Sequence, residues 1–394
     1  MAEIKPPKLE RSLGIEVYLS KSNGIGGRIK VIPEDFLVEE ITTDGRILKV
    51  NKNSEKNEID QIRGEYIHFT LQKRNWDTIR AIREISKRLR ISYKRFGYAG
   101  MKDKNAITTQ RVSVRNGSIE DLMRVKIKDI SMKNFEYADE GINLGDLKGN
   151  RFTVTIRDSS LDENQIEERI NSIIRELRIG IPNFFGIQRF GAIRPITHLV
   201  GKEILNGNPE KAVMIYLTEV FENEDEESKR ARKFLRENRN FREAIKLFPK
   251  YLGYENAMLN FLVKNPTNFS GALRKLPKKL RLMFVHAYQS YLFNKALSEY
   301  IRRNIVVERL PLVGYETEID EVTSEILEKE GISKEDFARV KDLASKGRYR
   351  ECFTQVNDFR IIKIEDGIVV VQFSLSKGSY ATIFLRELMK CEWW

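Results

Sequence analysis

The order of strand-like and helix-like segments is the feature that most restricts the fold of this chain. Residues 27–41 indicate two short strands separated by a turn at Pro33, and Gly64–Lys73 alternates as a strand does. Residues 162–178 have helical spacing, as does most of the chain after about residue 205. Strand character returns in Arg360–Leu375. This irregular order predicts an α+β fold with a mixed, largely antiparallel sheet rather than a doubly wound one.

The helical middle divides the strand-rich parts of the sequence. We therefore predict a discontinuous domain formed by residues 1–205 and 350–394, with a mostly helical insertion at residues 206–349. The sequence contains no internal repeat and no low-complexity segment, so a repeat architecture is not expected.

One acidic side chain lies in a glycine-rich stretch between two sheet elements. The stretch "GYAGMKDKNAITTQ" reads as a short strand, a loop carrying Asp103, and a second strand. It follows a predicted helix that starts after Asn75 or Asp77, either of which can cap it, and that ends near Arg90. Because rigid strands flank the loop, its side chains can be aimed at a ligand.

The chain carries more positive than negative charge. Its 69 Lys and Arg against 57 Asp and Glu give a net charge of +12, which favours a polyanionic partner such as nucleic acid. A basic enzyme without such a partner is the alternative. Two cysteines and three histidines are too few for a disulfide framework or a typical zinc site, so no metal is predicted. The charged N-terminus and the lack of a long apolar run predict a cytoplasmic protein with no membrane partner.

Asp103 is the first candidate for chemistry. On spacing alone, a lone carboxylate in a loop is most simply a solvated or salt-bridged residue. Against this, Lys102 and Lys104 favour its ionised form, and the nearby Gly97 and Gly100 allow another molecule to approach. An ionised aspartate without a metal or histidine is suited to nucleophilic or general-base work.

Other candidates have equally plain structural explanations. The segment "PNFFGIQRFG", Pro182–Gly191, could supply core phenylalanines, or an aromatic face and a cation for a nucleotide. Lys30 is most simply a surface lysine. The basic clusters "SKRARKFLRENR" and "LRKLPKKLR" are either solvated helix faces or contacts to an RNA backbone. No Walker loop, GxGxxG, HExxH or GxSxG motif is present.

Together these segments resemble the TruD family of tRNA pseudouridine synthases. "GRIKVIPEDFLVEE", "FGYAGMKDKNAITTQ" and "PNFFGIQRFG" are similar to three family motifs, although Phe184 stands where the family usually has tyrosine. "LGDLKGNRF", "SYLFN" and "GSYATIFLREL" are also similar to family segments, so that the resemblance runs from about residue 26 to 390.

The resemblance implies a pseudouridine synthase catalytic sheet domain with a helical insertion, acting without a cofactor. It implies that Asp103 is the catalytic nucleophile, that Lys30 is the basic residue beside it, and that Asn183 and Phe185 line the substrate pocket. The expected partner is tRNA, which family members modify most often at uridine 13, or another RNA. Two alternatives stay open: a non-catalytic RNA-binding or RNA-folding protein, and a cofactor-free nucleotide hydrolase. The oligomeric state cannot be inferred from the sequence.

Overall fold

The computed structural model describes residues 4–51 and 64–392. They form two compact units, whose boundaries fall between Leu19 and Ser20, Ile181 and Pro182, and Phe353 and Thr354. We call residues 20–181 with 354–392 the sheet unit, and residues 4–19 with 182–353 the helical unit. The sequence predicts a different kind of division, into a catalytic domain of residues 1–205 with 350–394 and an inserted domain of residues 206–349. That division into domains stays a prediction.

Most of the strands occur where the alternation of residues predicts them. The strands are β1 (Phe36–Ile41), β2 (Tyr66–Arg74), β3 (Phe96–Tyr98), β4 (Ile107–Arg115), β5 (Ile130–Ala138), β6 (Gly149–Ile156), β7 (Ile181–Pro182), β8 (Arg309–Leu312), β9 (Arg348–Glu351), β10 (Phe353–Thr354), β11 (Asn357–Glu365) and β12 (Ile368–Ser376). The strand predicted before Pro33 is wrong: only an isolated bridge between Arg28 and Arg157 forms there, because the positive φ of Gly27 and Lys30 interrupts an extended backbone.

The helices are concentrated in the middle of the chain. They are α1 (Lys8–Ser12), α2 (Thr78–Leu89), α3 (Ile119–Arg124), α4 (Glu163–Glu176), α5 (Thr197–Leu205), α6 (Pro209–Thr218), α7 (Glu226–Asn238), α8 (Phe241–Leu247), α9 (Gly253–Lys264), α10 (Phe269–Leu273), α11 (Lys278–Arg302), α12 (Glu321–Glu330) and α13 (Ala381–Met389). Within the described ranges, no helix is long and apolar enough to cross a membrane.

The sheet unit is built on one mixed sheet. In its described residues, the strand order is β11-β12-β6-β1-β4-β2-β5, with β3 paired to β4. β1 runs parallel to β4, whereas the other neighbours in the sheet are antiparallel. The predicted α+β class with a largely antiparallel sheet is therefore confirmed.

Helix α2 covers one end of this sheet. Asp77 caps the helix by accepting a hydrogen bond from the backbone N–H of Arg80, as the sequence predicts. Ile82 and Ile85 of α2 pack in a buried cluster with Phe69 of β2 and Val112 of β4. Burying two isoleucine side chains in this way contributes on the order of 3–6 kcal/mol, which fixes α2 against the strands on either side of the Asp103 loop.

The helical unit is organised around α11. Its 25 residues include a buried face with Phe284 and Tyr288 at helical spacing. Helix α5 packs on α11 at Gly201, where a Cβ atom would lie 2.1 Å from the carbonyl oxygen of Phe284. Only glycine allows the two helix backbones to approach so closely. The antiparallel pair β8 and β9 completes this unit's regular structure.

Candidate active site

Asp103 lies in the loop that joins β3 to β4, as predicted. Its carboxylate is partly exposed, with 32% of the side-chain surface accessible. The ammonium group of Lys30 donates a 2.9 Å hydrogen bond to Oδ1 of Asp103. Lys30 and Asp103 are separated by 73 positions in sequence, so the fold brings together two of the four predicted site residues.

The backbone around Lys30 has an unusual conformation. Lys30 has φ of +58°, in the left-handed region that non-glycine residues adopt at a cost of about 1 kcal/mol. The 3₁₀ turn Pro33–Asp35 follows it, and Arg157 holds this turn by donating to Oδ1 of Asp35 at 2.9 Å. The ammonium of Lys30 also lies 4.1 Å from the centre of the Phe36 ring, a cation–π contact. Lys30 is therefore fixed at both its backbone and its charged end.

A second lysine, Lys73, supports the loop from the core. Its side chain is fully buried, and its ammonium donates to the carbonyl oxygens of Asp103 at 2.7 Å, Trp76 at 2.6 Å and Lys102 at 3.4 Å. Burial lowers the pKa of Lys73 to about 8, although the charges of Asp103 and Asp77 oppose this shift. Lys73 thus links the backbone that carries Asp103 to the start of α2.

Lys102 does not contact the Asp103 carboxylate, contrary to the role that its neighbouring position in the sequence indicates. Its buried ammonium lies 2.7 Å from Oε2 of Glu40 and donates to Oδ1 of Asn150 at 2.7 Å. The backbone N–H of Lys102 donates to Oγ1 of Thr78 at 3.1 Å. Lys102 therefore anchors the loop to β1, β6 and α2, while Lys30 supplies the cation at the carboxylate. Lys104 is exposed.

Sequence reasoning did not identify Lys73. Ile67, Phe69 and Leu71 alternate along β2 and all face the core, and position 73 continues that alternation. A lysine at the next core-facing position of a strand is therefore the signal that could have revealed it, because buried lysines need oxygen partners.

Asn183 and Phe185 belong to the helical unit and are described within it. The backbone N–H of Asn183 donates to the carbonyl of Cys352 at 2.7 Å, and its side-chain amide donates to the carbonyl of Glu351 at 3.0 Å. Arg350 donates to both the backbone and the side-chain oxygen of Asn183. Asn183 is thus bound to β9 through several hydrogen bonds.

Phe185 is 6% exposed and has a strongly defined environment. The guanidinium of Arg350 lies 4.2 Å from the centre of its ring, and Phe293 contacts it edge-on with 5.6 Å between centres. The amide of Asn294 pairs with the Phe185 backbone, accepting from its N–H at 2.8 Å and donating to its carbonyl at 3.0 Å. The neighbouring Phe184 is fully buried, so the hydroxyl that a tyrosine would add there would also be buried.

Neither a metal centre nor a disulfide is built from the described residues. No cluster of three or more His, Cys, Asp or Glu side chains in the described ranges could hold a metal ion. Cys352 is buried and Cys391 partly exposed, and neither forms a disulfide.

Most of the chain is similar to a known protein family. A family model described as tRNA pseudouridine synthase D (TruD) matches residues 12–310 and 301–388. The chain belongs to this family, which confirms the predicted family and, with it, the predicted enzyme class, an isomerase.

Full-length relatives give the same result. A probable tRNA pseudouridine synthase D from Methanocaldococcus jannaschii is 42% identical over 96% of this chain and 99% of its own length. One from Methanosarcina acetivorans is 38% identical over 100% of this chain and 99% of its own. The crystal structure of a putative tRNA pseudouridine synthase D from Methanosarcina mazei superposes with a TM-score of 0.80, at 35% identity, over 98% of this chain and 99% of that one.

Proposed function

We propose that this protein isomerises a uridine in tRNA to pseudouridine, with Asp103 as the nucleophile and without a cofactor, in the cytoplasm. The observation that carries the proposal is the Asp103 carboxylate, which is partly exposed, held on a braced loop and paired with Lys30 at 2.9 Å. Family membership supports the substrate class. Uridine 13 is the proposed position.

The reaction places simple demands on the protein. The glycosidic C–N bond of uridine breaks, the uracil turns, and a bond forms between C5 of the base and C1′ of the sugar, while the C5 proton is lost and N1 gains one. Because no atom or electron is gained or lost overall, a carboxylate and a pocket that retains the freed base are sufficient in principle.

Asp103 can act by two routes. Its carboxylate can attack C1′ and form an ester with the sugar, or it can abstract the 2′ hydrogen and generate a glycal. Rates measured with tRNA that carries deuterium at the 2′ position distinguish them, because the glycal route gives a primary isotope effect on the single-turnover rate and ester formation does not.

The proposed roles of the other residues follow from their contacts. Lys30 stabilises and orients the Asp103 carboxylate. The target uridine must leave its stack to reach the carboxylate, at a cost of a few kcal/mol. Phe185 is proposed to support the uracil, because base stacking on an aromatic ring contributes about 1–3 kcal/mol. Asn183 is proposed to line the same pocket.

The decisive experiment is the variant Asp103→Asn, which keeps the side-chain shape and removes the charge. Unmodified tRNA transcripts are incubated with purified protein, and pseudouridine is mapped by reverse-transcription stops after carbodiimide treatment. We expect product at uridine 13 with the wild type and none with Asp103→Asn, while tRNA binding is retained. The matched control is Asp121→Asn, at an exposed carboxylate of α3 in the same unit, which should keep full activity.

The same assay separates the two alternatives. A non-catalytic RNA-binding protein predicts tRNA binding without pseudouridine from the wild type. A nucleotide hydrolase predicts release of free uracil or phosphate. Product from purified Asp103→Asn would overturn the assignment of the nucleophile.

A further inference from the structure

The cations of the chain are unevenly distributed. Residues 74–95 contain eight Lys and Arg (Arg74, Arg80, Arg83, Lys87, Arg88, Arg90, Lys94 and Arg95) and two acids (Asp77 and Glu84). This net charge of +6 in 22 residues compares with +12 for all 394. Helix α2 itself carries four of these cations and one of the acids, and the others lie at the end of β2 and in the residues on either side of the helix.

Four of these cations form a row along α2. Arg80, Arg83 and Lys87 lie on the helix at the spacing of a single face, Arg90 is the residue that caps its C-terminus, and all four are exposed. The row spans about 15 Å at 1.5 Å per residue. We call it the α2 basic stripe.

The cations of the stripe have no acidic partners among the described residues. In the part of the chain that the structure describes, none of the four makes an ion pair with a carboxylate, and the nearby Glu84 pairs instead with Arg88. Arg80 lies over the Trp76 ring and Arg83 over the Tyr93 ring, with 5.6 and 5.3 Å to the ring centres. Such contacts order a guanidinium without cancelling its charge.

The predicted basic cluster on α7 shows the opposite arrangement. Lys229 pairs with Glu226, Arg236 with Glu219 and Arg239 with Glu210. Arg232 is buried and donates to two glutamates. Four of the six cations in this cluster are therefore held by glutamates, whereas Arg230 and Lys233 are exposed, so a high density of lysine and arginine does not by itself show how much free charge remains.

The stripe starts beside the loop that carries Asp103. Thr78, the first residue of α2, accepts a hydrogen bond from the backbone N–H of Lys102. Lys73 donates both to the carbonyl of Trp76, just before α2, and to the carbonyl of Asp103. These bonds fix the beginning of the stripe relative to the candidate nucleophile.

We propose that the α2 basic stripe binds the phosphate backbone of the substrate RNA and holds it beside the Asp103 loop. This rests on the proposed function. Phosphates recur every few ångströms along a nucleic acid, so a 15 Å row of cations can neutralise several of them. A membrane surface would require a free apolar face, whereas Ile82 and Ile85 on the opposite side of α2 are buried in the core.

The test uses the full-length triple variant R83Q/K87Q/R90Q. Its matched control, R175Q/R178Q/K363Q, removes the same charge from three exposed cations: Arg175 on α4, Arg178 just after α4, and Lys363 on β11 at the other edge of the sheet. Binding of a tRNA transcript is measured from about 50 to 300 mM salt, and single-turnover pseudouridine formation is measured at saturating tRNA. Thermal unfolding confirms that each variant is folded.

For the stripe variant we expect a 10- to 100-fold weaker Kd near 100 mM salt, and a slope of log K against log salt that is smaller by about 2–3. The single-turnover rate at saturating tRNA should stay within about twofold of wild type, because the stripe binds ground state and transition state alike. The control should match the wild type in both measurements.

Each of the other possible outcomes either overturns or supports the proposal. A Kd and salt slope equal to those of the control overturn the proposal. Loss of binding to phosphatidylserine vesicles with unchanged tRNA binding overturns it in favour of a membrane surface. If the wild type binds tRNA through the stripe but forms no pseudouridine, the stripe stands and the proposed enzymatic function fails.

Discussion

The Asp103 loop in the sheet unit and the Asn183–Phe185 segment in the helical unit are fixed by different kinds of donor. Buried or partly buried ammonium groups of Lys30, Lys73 and Lys102 hold the loop. The neutral amide of Asn294 holds the Phe185 backbone, and the guanidinium of Arg350 donates to Asn183 and lies over the Phe185 ring. The loop can respond to pH near 8 through Lys73, whereas the segment is held by an amide and by a guanidinium, a group that stays charged at ordinary pH. The loop is therefore suited to hold a carboxylate beside a cation, and the segment to keep a ring in place.

The largest effect is expected at the cation that contacts the carboxylate. Lys30→Met removes the 2.9 Å hydrogen bond to Asp103 while keeping most of the apolar stem. We expect kcat to fall about 10²- to 10³-fold, because an unoriented carboxylate loses both its geometry and its charge partner. Single-turnover pseudouridine formation measures this.

Lys30→Arg is the control for that variant, since it keeps the charge with altered geometry, and it should lose less activity. If Lys30→Met retains more than about a tenth of the wild-type rate, activity does not depend on this cation. Charge would then not distinguish the Asp103 loop from the Asn183–Phe185 segment.

The next effect is expected at the fully buried lysine. Lys73→Met leaves the carbonyls of Asp103 and Trp76 without their charged donor, which should cost about 2–4 kcal/mol in the free energy of unfolding. The rate should also fall, because the loop is no longer braced. Urea unfolding and single-turnover assays measure the two effects.

A second lysine of the same sheet offers a matched control. Lys133 on β5 is 9% exposed and donates longer hydrogen bonds, 3.3 Å to the carbonyl of Lys49 and 3.1 Å to Gln72, without touching the loop. Lys133→Met should therefore cost less stability and leave kcat unchanged. Equal losses of kcat in both variants would mean that Lys73 acts only through general stability.

A somewhat smaller effect is expected in the helical unit. Asn294→Ala removes the paired bonds to Phe185 and a bond to the carbonyl of Leu13, for a loss of about 2–3 kcal/mol in stability. If Phe185 supports the uracil, KM for tRNA should rise as well. Ser298→Ala, one turn further along α11, removes the bond to the carbonyl of Gly14 and should leave KM unchanged.

The smallest effect, and the sharpest test of charge against shape, is a pH dependence. The pKa of Lys73 is about 8 in the folded protein, below its ordinary value of 10.5. Between these values the unfolded chain binds the proton more strongly, so Lys73 makes the unfolding free energy rise with pH, by at most about 1.4 kcal/mol per pH unit. Below pH 8 the cost of burying the charge is fully present.

The stability difference between wild type and Lys73→Met should therefore grow from about pH 8 to pH 10, measured by urea unfolding. The difference between wild type and Asn294→Ala should stay constant over the same range. If the stability difference between wild type and Lys73→Met does not change with pH, then charge does not distinguish the Asp103 loop from the Asn183–Phe185 segment.

Local patterns in the sequence predicted local structure well. The sequence predicts a helix that starts after Asn75 or Asp77 and ends near Arg90, and α2 is capped by Asp77 and ends at Leu89. The flanking strands predict that Asp103 lies in a loop. In each case the determining interactions lie within one turn or one strand, which is why the sequence alone was sufficient.

Long-range partners could not be predicted in the same way. Lys102 pairs with Glu40 across 62 positions, although its neighbour in sequence is Asp103, because the parallel pairing of β1 with β4 decides which side chains meet. The identities of the candidate site residues came from resemblance, and their contacts came only from the fold.

The backbone of Lys30 has a further consequence for how this site can vary. At φ of +58° a glycine would be unstrained, so Lys30→Gly should give a chain at least as easy to fold at that turn, yet without the cation. A β-branched residue would satisfy neither requirement. The backbone at residue 30 and the proposed chemistry therefore favour different side chains, so that few substitutions there can satisfy both.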